Sequence, residues 1–390
     1  MRRAAAALSE HPVAAEATAE VIGDVLDAIG PAPDLAVVFV SGDHVRALEQ
    51  IAATVRVALA PGTLVGATAA TVVGGARAVE GWPAVSLWAA RTGPARAVRL
   101  SAAAHPGGVA LLGADELADA AGTLVLVAAP GPFPMGAVLD ELAAVAPALS
   151  VVGGVASASA GTGADRLVVD ADVHADGAVG ALVDPGAGVT ALVSQGCRPI
   201  GEPMTVTAAD GPALLGLAGQ PALDRFRQLV AGTDDAGREV MRRGVHLGVV
   251  VAEHKVDFER GDFLIRPVVG SDAGRDAVVV GDVVPVGAVV QFQVRDASAA
   301  DDDLRAVLAG RSADAALLFT DDGRGARLFA DADHDAAVLA DVAGPAVAGM
   351  GCAGEVGPVG ARSWLHGQSA SMLLFDRPPT RRGARGAPLG

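Results

Sequence analysis

A chain of 390 residues exceeds the usual size of one domain, and 51% hydrophobic residues with 3% aromatics and no tyrosine imply aliphatic cores. The formal net charge of −16 repels phosphate backbones and anionic lipid, which argues against general nucleic-acid binding. The alanine run after Arg2 and Arg3 is broken by Ser9, Glu10 and His11, too soon for a signal-peptide core, and no apolar stretch reaches membrane-spanning length, so a cytoplasmic protein is expected.

Taken in chain order, Val13, Ala17, Val21, Val25 and Ile29 recur at four-residue spacing between Pro12 and Gly30-Pro31, which predicts an amphipathic helix over 13–29. A repeat follows. Leu35–Val40 reads as a buried strand ending at Ser41-Gly42-Asp43, a helix runs through Val45, Leu48, Ile51, Val55 and Leu59, and Leu64-Val65-Gly66 opens a small-residue loop to Gly74-Gly75. The same order recurs at Leu124–Ala128, a helix over 135–147 and Val151–Gly154, and again at Ala315–Phe319, a helix near 334–341 and Ala346–Gly349. A further strand closes each unit, at Ala84–Ala90, Arg166–Val169 and Leu365–Phe375. Each is therefore a β-α-β-β unit whose first two strands run parallel through a crossover helix.

Between the second and third units the texture changes. Val189–Val193 enters the turn-rich segment Ser194–Pro203, followed by a helix over 221–231 and strands at 245–252, 262–269, 276–281 and 288–294. A helix around 301–309 leads back to the repeat. The expected architecture is a mixed α/β (α+β) protein of repeated β-α-β-β units with mixed sheets in two domains. The divisions are a helix over 1–33, an α/β domain over 34–195, a second over 196–376 with its own antiparallel-rich sheet, and a disordered tail over 377–390.

The glycine loops Gly66–Gly75, Gly153–Gly161 and Gly349–Gly357 let a ligand approach backbone N–H groups, or serve tight packing. None matches a Rossmann or Walker pattern. Gly323-Arg324-Gly325 follows a buried strand where open α/β sheets bind ligands, and its arginine can fork onto a carboxylate or occupy a surface turn. Gly354-Glu355 closes the third loop, where the carboxylate can take an amine or an arginine. Arg266, two residues beyond Leu264, is a ligand clamp or half of an internal ion pair, and Gln291, Gln293 and Arg295 share one strand face. Cys197 and Cys352 stand far apart with no second thiol nearby, and the eight histidines do not cluster at metal spacing, so neither metal nor cofactor is expected. His334-Asp335 and His366 are the isolated histidine candidates, and Cys352, beside Glu355, is the more interesting thiol.

Together these segments resemble the FIST family, a sensory module found in bacteria alone or fused to signalling domains, and in a eukaryotic F-box protein. Phe39–His44, Val65–Ala70, Gly74-Gly75 and Val79-Glu80 are similar to its amino-terminal region. Ser194–Pro203, Gly219–Leu223, Arg260–Arg266, Arg295–Ala297, Gly323–Gly325, His334-Asp335, Gly354–Pro358 and His366-Gly367 are similar to its carboxy-terminal region, so the match spans roughly 34–375. Ala67 and Thr320 stand where many relatives are expected to carry cysteine.

The resemblance implies a small ligand such as an amino acid. The first reading is accordingly a non-enzymatic sensor that holds an amino-acid-like ligand among Arg266, Arg295, Gly323, Arg324, Gly325, Cys352, Gly354, Glu355 and His366. Its carboxylate would lie on Arg324 or Arg266 and its amine on Glu355, with the signal passed to a separate protein. Two alternatives stand beside it: an enzyme using Cys352 or His366 with Glu355, and a protein-interaction scaffold.

Overall fold

The computed structural model describes residues 3–105, 108–158, 165–251, 258 and 260–376. The expected tail over 377–390, the end of the second glycine loop beyond 158 and His254 lie outside the described residues. In the first unit, β1 (Ala4–Ser9) and α1 (Ala14–Ile29) precede β2 (Leu35–Ser41), α2 (Leu48–Leu59) and β3 (Thr63–Thr68). A hairpin of β4 (Thr71–Gly74) and β5 (Arg77–Glu80) follows, and β6 (Ala84–Ala90) closes the unit. The second runs β7 (Ala95–His105), β8 (Gly108–Leu112), β9 (Gly122–Ala128), α3 (Met135–Val145), β10 (Leu149–Val155), a hairpin of β11 (Leu167–Val169) and β12 (Asp172–His174), and β13 (Ala178–Val183).

The third unit opens with β14 (Val189–Gln195) and is interrupted by an insertion. This comprises β15 (Cys197–Pro199), β16 (Met204–Asp210), β17 (Ala213–Leu217), β18 (Gln220–Pro221), α4 (Ala222–Gly232), α5 (Asp235–Arg242), β19 (Val245–Val250), β20 (Phe263–Asp272), β21 (Ala277–Val280) and β22 (Val289–Arg295). The unit resumes with α6 (Ala297–Leu308), β23 (Ala313–Asp321), α7 (Gly325–Phe329), α8 (His334–Ala343) and β24 (Val347–Cys352), then a hairpin of β25 (Glu355–Val359) and β26 (Arg362–His366), and β27 (Ser369–Asp376).

The fold is mixed α+β, as expected, and each unit has the parallel pair that its crossover helix requires: β2 with β3, β9 with β10, β23 with β24. The closing strand lies antiparallel on the first strand of each pair. The hairpins are exchanged. The first unit's β4 pairs with β24 of the third, the second unit's β11 with β3 of the first, and the third unit's β25 with β10 of the second. The three sheets thus interlock in a ring around one shared core that includes Phe39, Trp88, Val127, Val152, Phe319 and Phe375. Phe39 meets Phe319 edge to face at 6.1 Å, and Trp88 packs on Phe375 at 4.8 Å. Glycine recurs where the parallel strands come closest: a side chain at Gly66, Gly153 or Gly349 would run into the carbonyl of Val38, Leu126 or Leu318.

The inserted strands close on themselves in the order β22–β16–β17–β21–β20–β19 and back to β22, a six-stranded barrel filled by Val206, Leu214, Leu217, Leu247 and Phe292. Three expectations are corrected. The alanine run at 4–9 is an edge strand, paired with β6. Arg166–Val169 does not close the second unit but joins the first unit's sheet, and β13 takes the closing place. Leu365–Phe375 is two strands in two sheets, broken at Gly367-Gln368.

Candidate functional site

The barrel leaves the body and returns to it through neighbouring strands, since Cys197 at its entry pairs with Arg295 at its exit. At the entry Gly196 N–H donates to Gln368 O at 2.9 Å. Gln368 is part of the lining of a cleft of about 720 Å³ between barrel and body. The barrel wall carries His246, Ile265, Arg266, Pro267 and Asp282; the body wall carries Leu139 and Asp140 of α3, Trp364, Leu365 and His366 of β26, Gln368, and Asp321 at the end of β23.

Behind this lining sits a charged cluster. Arg324 is fully buried, and its Nε and Nη2 donate to Asp335 Oδ2 and Oδ1 at 2.6 and 2.9 Å. Thr320 Oγ1 donates to the same carboxylate at 2.6 Å, and His334 Nδ1 lies 3.0 Å from it. Burial alone would push the Asp335 carboxyl up, but the Arg324 charge and these hydrogen bonds hold it well below the ordinary carboxylate range. The third nitrogen, Arg324 Nη1, faces Gly196 and has no partner. Arg295 Nη2 donates to Gly323 O, while its buried Nε has no partner.

Glu355 is buried at the start of β25. Its Oε2 accepts from Ser369 N and Oγ at 3.0 and 2.7 Å, and its Oε1 has no partner. Burial, reinforced by the Asp321 charge, raises its pKa well above the carboxylate range. Burial thus disfavours the ionised form of this group. His366 Nε2 lies 3.0 Å from Gly357 O, which places the ring proton on Nε2 and leaves Nδ1 an acceptor without a partner. Burial and then the Arg266 charge lower its pKa to about 4, against the Gly357 hydrogen bond; burial and the Arg295 charge do the same to His246.

Gln195, Gln293 and Gln368 each bring one amide atom without a partner, and so does His246 Nδ1. The Gln195 amide is oriented by its Nε2, which donates to Phe263 O at 2.6 Å, so its Oε1 is an acceptor. Eight of the nine such buried atoms among the described residues belong to Gln195, His246, Gln293, Arg295, Arg324, Glu355, His366 and Gln368, all at this junction of barrel and body. Buried polar groups are nearly always satisfied, so their concentration at one place makes this junction the candidate site.

The structure brings Arg266, Arg295, Gly323, Arg324, Glu355 and His366 together here. Arg266 is internally committed: it pairs with Asp282 at 2.6 Å and donates to Leu365 O at 3.2 Å, tying barrel to body. Gly325 faces Glu80 on the far side of Arg324, and Gly354 O accepts from Val155 N, joining β25 to the second unit's sheet. Cys352 packs in the shared core with its Sγ on Met350 O at 3.6 Å, and burial raises its thiol pKa well above the ordinary value. Burial pushes Cys197 up to about 12, against the Arg295 charge. Both thiols are thus protonated and shielded, the reverse of an activated nucleophile. Sequence reasoning missed Asp321, Gln195, His246 and Gln368. Gln293 carried a signal, two residues before Arg295 on one strand face; the others needed the register between strands far apart in sequence.

Comparison with known proteins agrees with this architecture. Residues 34–220 match the FIST N domain and residues 222–358 the FIST C domain. An uncharacterised protein of Mycobacterium tuberculosis is 40% identical over 376 residues, covering 94% of this chain and 98% of its own length. An uncharacterised protein of Mycobacterium bovis is 39% identical over 373 residues, covering 93% and 96%.

Proposed function

The chain belongs to the FIST family, and from that premise we propose that it is a sensory protein whose small ligand, an amino acid or a metabolite of similar chemistry, binds in the cleft between barrel and body. The observation that carries this reading is the gathering of buried, unpartnered polar atoms at the junction of barrel and body, three of which belong to His246, His366 and Gln368 in the lining of that cleft. Arg324 Nη1 and Arg295 Nε, behind that lining, are donors without acceptors, the kind of group a ligand carboxylate requires. Leu139, Ile265, Pro267, Trp364 and Leu365 supply an apolar wall for the rest of the molecule. A ligand held from both walls would fix the barrel against the body, and that change is what a separate signalling partner would read. The protein works in the cytoplasm on this reading; among the described residues no helix is long and apolar enough to cross a membrane.

Isothermal titration against a panel of amino acids and small metabolites tests the proposal, with Trp364 fluorescence as a second readout because that ring lines the cleft. A ligand should emerge, and Arg295→Ala should weaken it about tenfold or more by removing a charged donor. No binding anywhere in a broad panel overturns the proposal.

A further inference from the structure

We infer that Asp321 and Gln368 form an ammonium-recognising corner of the cleft, selective for an apolar α-amino acid, and that Gln368 is kept in a left-handed backbone conformation to serve it. The inference rests on the reading of the cleft as the ligand site. Gln368 stands in the tight turn between β26 and β27 at φ 65°, where glycine would sit without strain. Seven other non-glycine residues among those described share a positive φ, so the use of this side chain is read from its contacts.

The backbone of Gln368 is clamped on both sides. Its N–H donates to Asp321 Oδ2 at 3.2 Å, and its carbonyl accepts from Gly196 N at 2.9 Å. The side-chain Nε2 lies 3.4 Å from the same Asp321 oxygen. A carboxylate repels an amide oxygen, so this contact sets the amide orientation and leaves Oε1 as the acceptor, buried and without a donor. Asp321 Oδ1 is fixed in turn by Gly323 N at 2.8 Å.

The corner therefore presents acceptors only: the Asp321 carboxylate, Gln368 Oε1 and, lining the same cleft, His366 Nδ1. Three acceptors, one of them charged, suit a primary ammonium, which has three N–H donors and no lone pair. An anionic group would meet the Asp321 carboxylate there, while the lining's Arg266 is already paired with Asp282. The neighbouring wall of Leu139, Ile265, Pro267, Trp364 and Leu365 has no hydrogen-bonding side chain except the Trp364 indole, whose Nε1 donates to Val359 O at 3.4 Å. The part of the ligand that meets this wall is accordingly apolar.

Titration calorimetry with L-leucine, its decarboxylated form isopentylamine and its deaminated form 4-methylpentanoate tests the corner. The wild type should bind leucine and isopentylamine, and 4-methylpentanoate at least about tenfold more weakly than leucine. Gln368→Gly should lose about tenfold or more in leucine affinity while its melting temperature stays the same or rises, because the strain goes with the side chain. Gln368→Asn, which tolerates the left-handed conformation but is one methylene shorter, should keep the melting temperature and also bind leucine more weakly. Unchanged leucine binding by both variants overturns the inference, as does a lower melting temperature in Gln368→Gly with leucine affinity intact. Equal binding of leucine and 4-methylpentanoate by the wild type overturns the ammonium corner but leaves the cleft as a ligand site. If the wild type binds neither amine, the corner fails, and the wider panel decides the cleft separately.

Discussion

Replacing Asp335 by alanine should strip the charge partner from the most deeply buried cation described in the protein. The Arg324 side chain is 0% exposed and that of Asp335 5%, so water cannot take over from the lost carboxylate. The substitution removes both charged hydrogen bonds of the pair, at 2.6 and 2.9 Å, and leaves Thr320 and His334 each short of a partner. Breaking a buried ion pair from one side costs about 3–5 kcal/mol, because the remaining charge stays desolvated. Asp321 also acts favourably on the Arg324 charge, which places the expected loss toward the lower end, about 3 kcal/mol. Against a typical total of about 5–15 kcal/mol, that is a large fraction of the protein's stability. Urea unfolding followed by circular dichroism measures it, and the double variant Arg324→Met/Asp335→Leu should recover at least half of the loss by removing both charges. A loss below about 1 kcal/mol for Asp335→Ala, or a double variant worse than either single one, would refute the account of a desolvated pair.

Two further outcomes follow from the same geometry. His246 and His366 titrate near 4 in the folded protein against an ordinary value of 6.5, so as pH falls from 6.5 to about 4 the unfolded chain takes up protons that the folded one refuses, and stability falls. Asp322 works the other way: burial raises it from 3.8 to about 6, and the stability this gives is present below 3.8 and lost as pH rises through about 6. Urea midpoints across this window should show a shallower acid-side loss in His246→Gln/His366→Gln and a steeper one in Asp322→Asn; no change of slope in either counts against the assignment. The exchanged hairpins make a separate prediction for the halves 1–195 and 196–390, since β25–β26 completes the sheet of β10 and β4–β5 that of β24. Neither half should fold alone, and co-expression should yield a soluble complex; cooperative unfolding of either isolated half would contradict the interlocked arrangement.

The parts of the fold legible in the sequence are those set by local pattern. The helix at 14–29 announces itself because Ala17, Val21, Val25 and Ile29 share one face, and all four are buried. The parallel pairs follow from a buried strand, a crossover helix and a second buried strand in each unit. What the pattern hides is partnership. Leu167–Val169 is a plausible closing strand by composition, and only its pairing with Val65–Ala67 shows that it belongs to another unit's sheet. The site divides in the same way. Arg324 and Glu355 stand out as charges beside glycines. Asp321 and Gln368 do not, because their meaning lies in a hydrogen bond between residues 47 positions apart in the chain.

The three units also show how one junction differs from the other two. Strand register superposes them, with Gly66, Gly153 and Gly349 opposite Val38, Leu126 and Leu318, and opposite Val168, Val356 and Val73 of the exchanged hairpins. In that frame the place of Glu355 is taken by Leu167 and Val72 in the other two junctions, and the place of Asp321 by Ser41 and Ala129. The hairpin partner of Glu355 is His366, where the others have His174 and Val79. Two junctions are thus filled mainly with apolar or small side chains that seal the shared core. At the third, two acidic side chains and a histidine stand at equivalent backbone positions. The barrel is inserted beside that third junction, between β14 and α6, and covers it with His246, Arg266 and Arg295. The backbone geometry is common to all three, so the polar substitutions at one of them are not required by the fold itself.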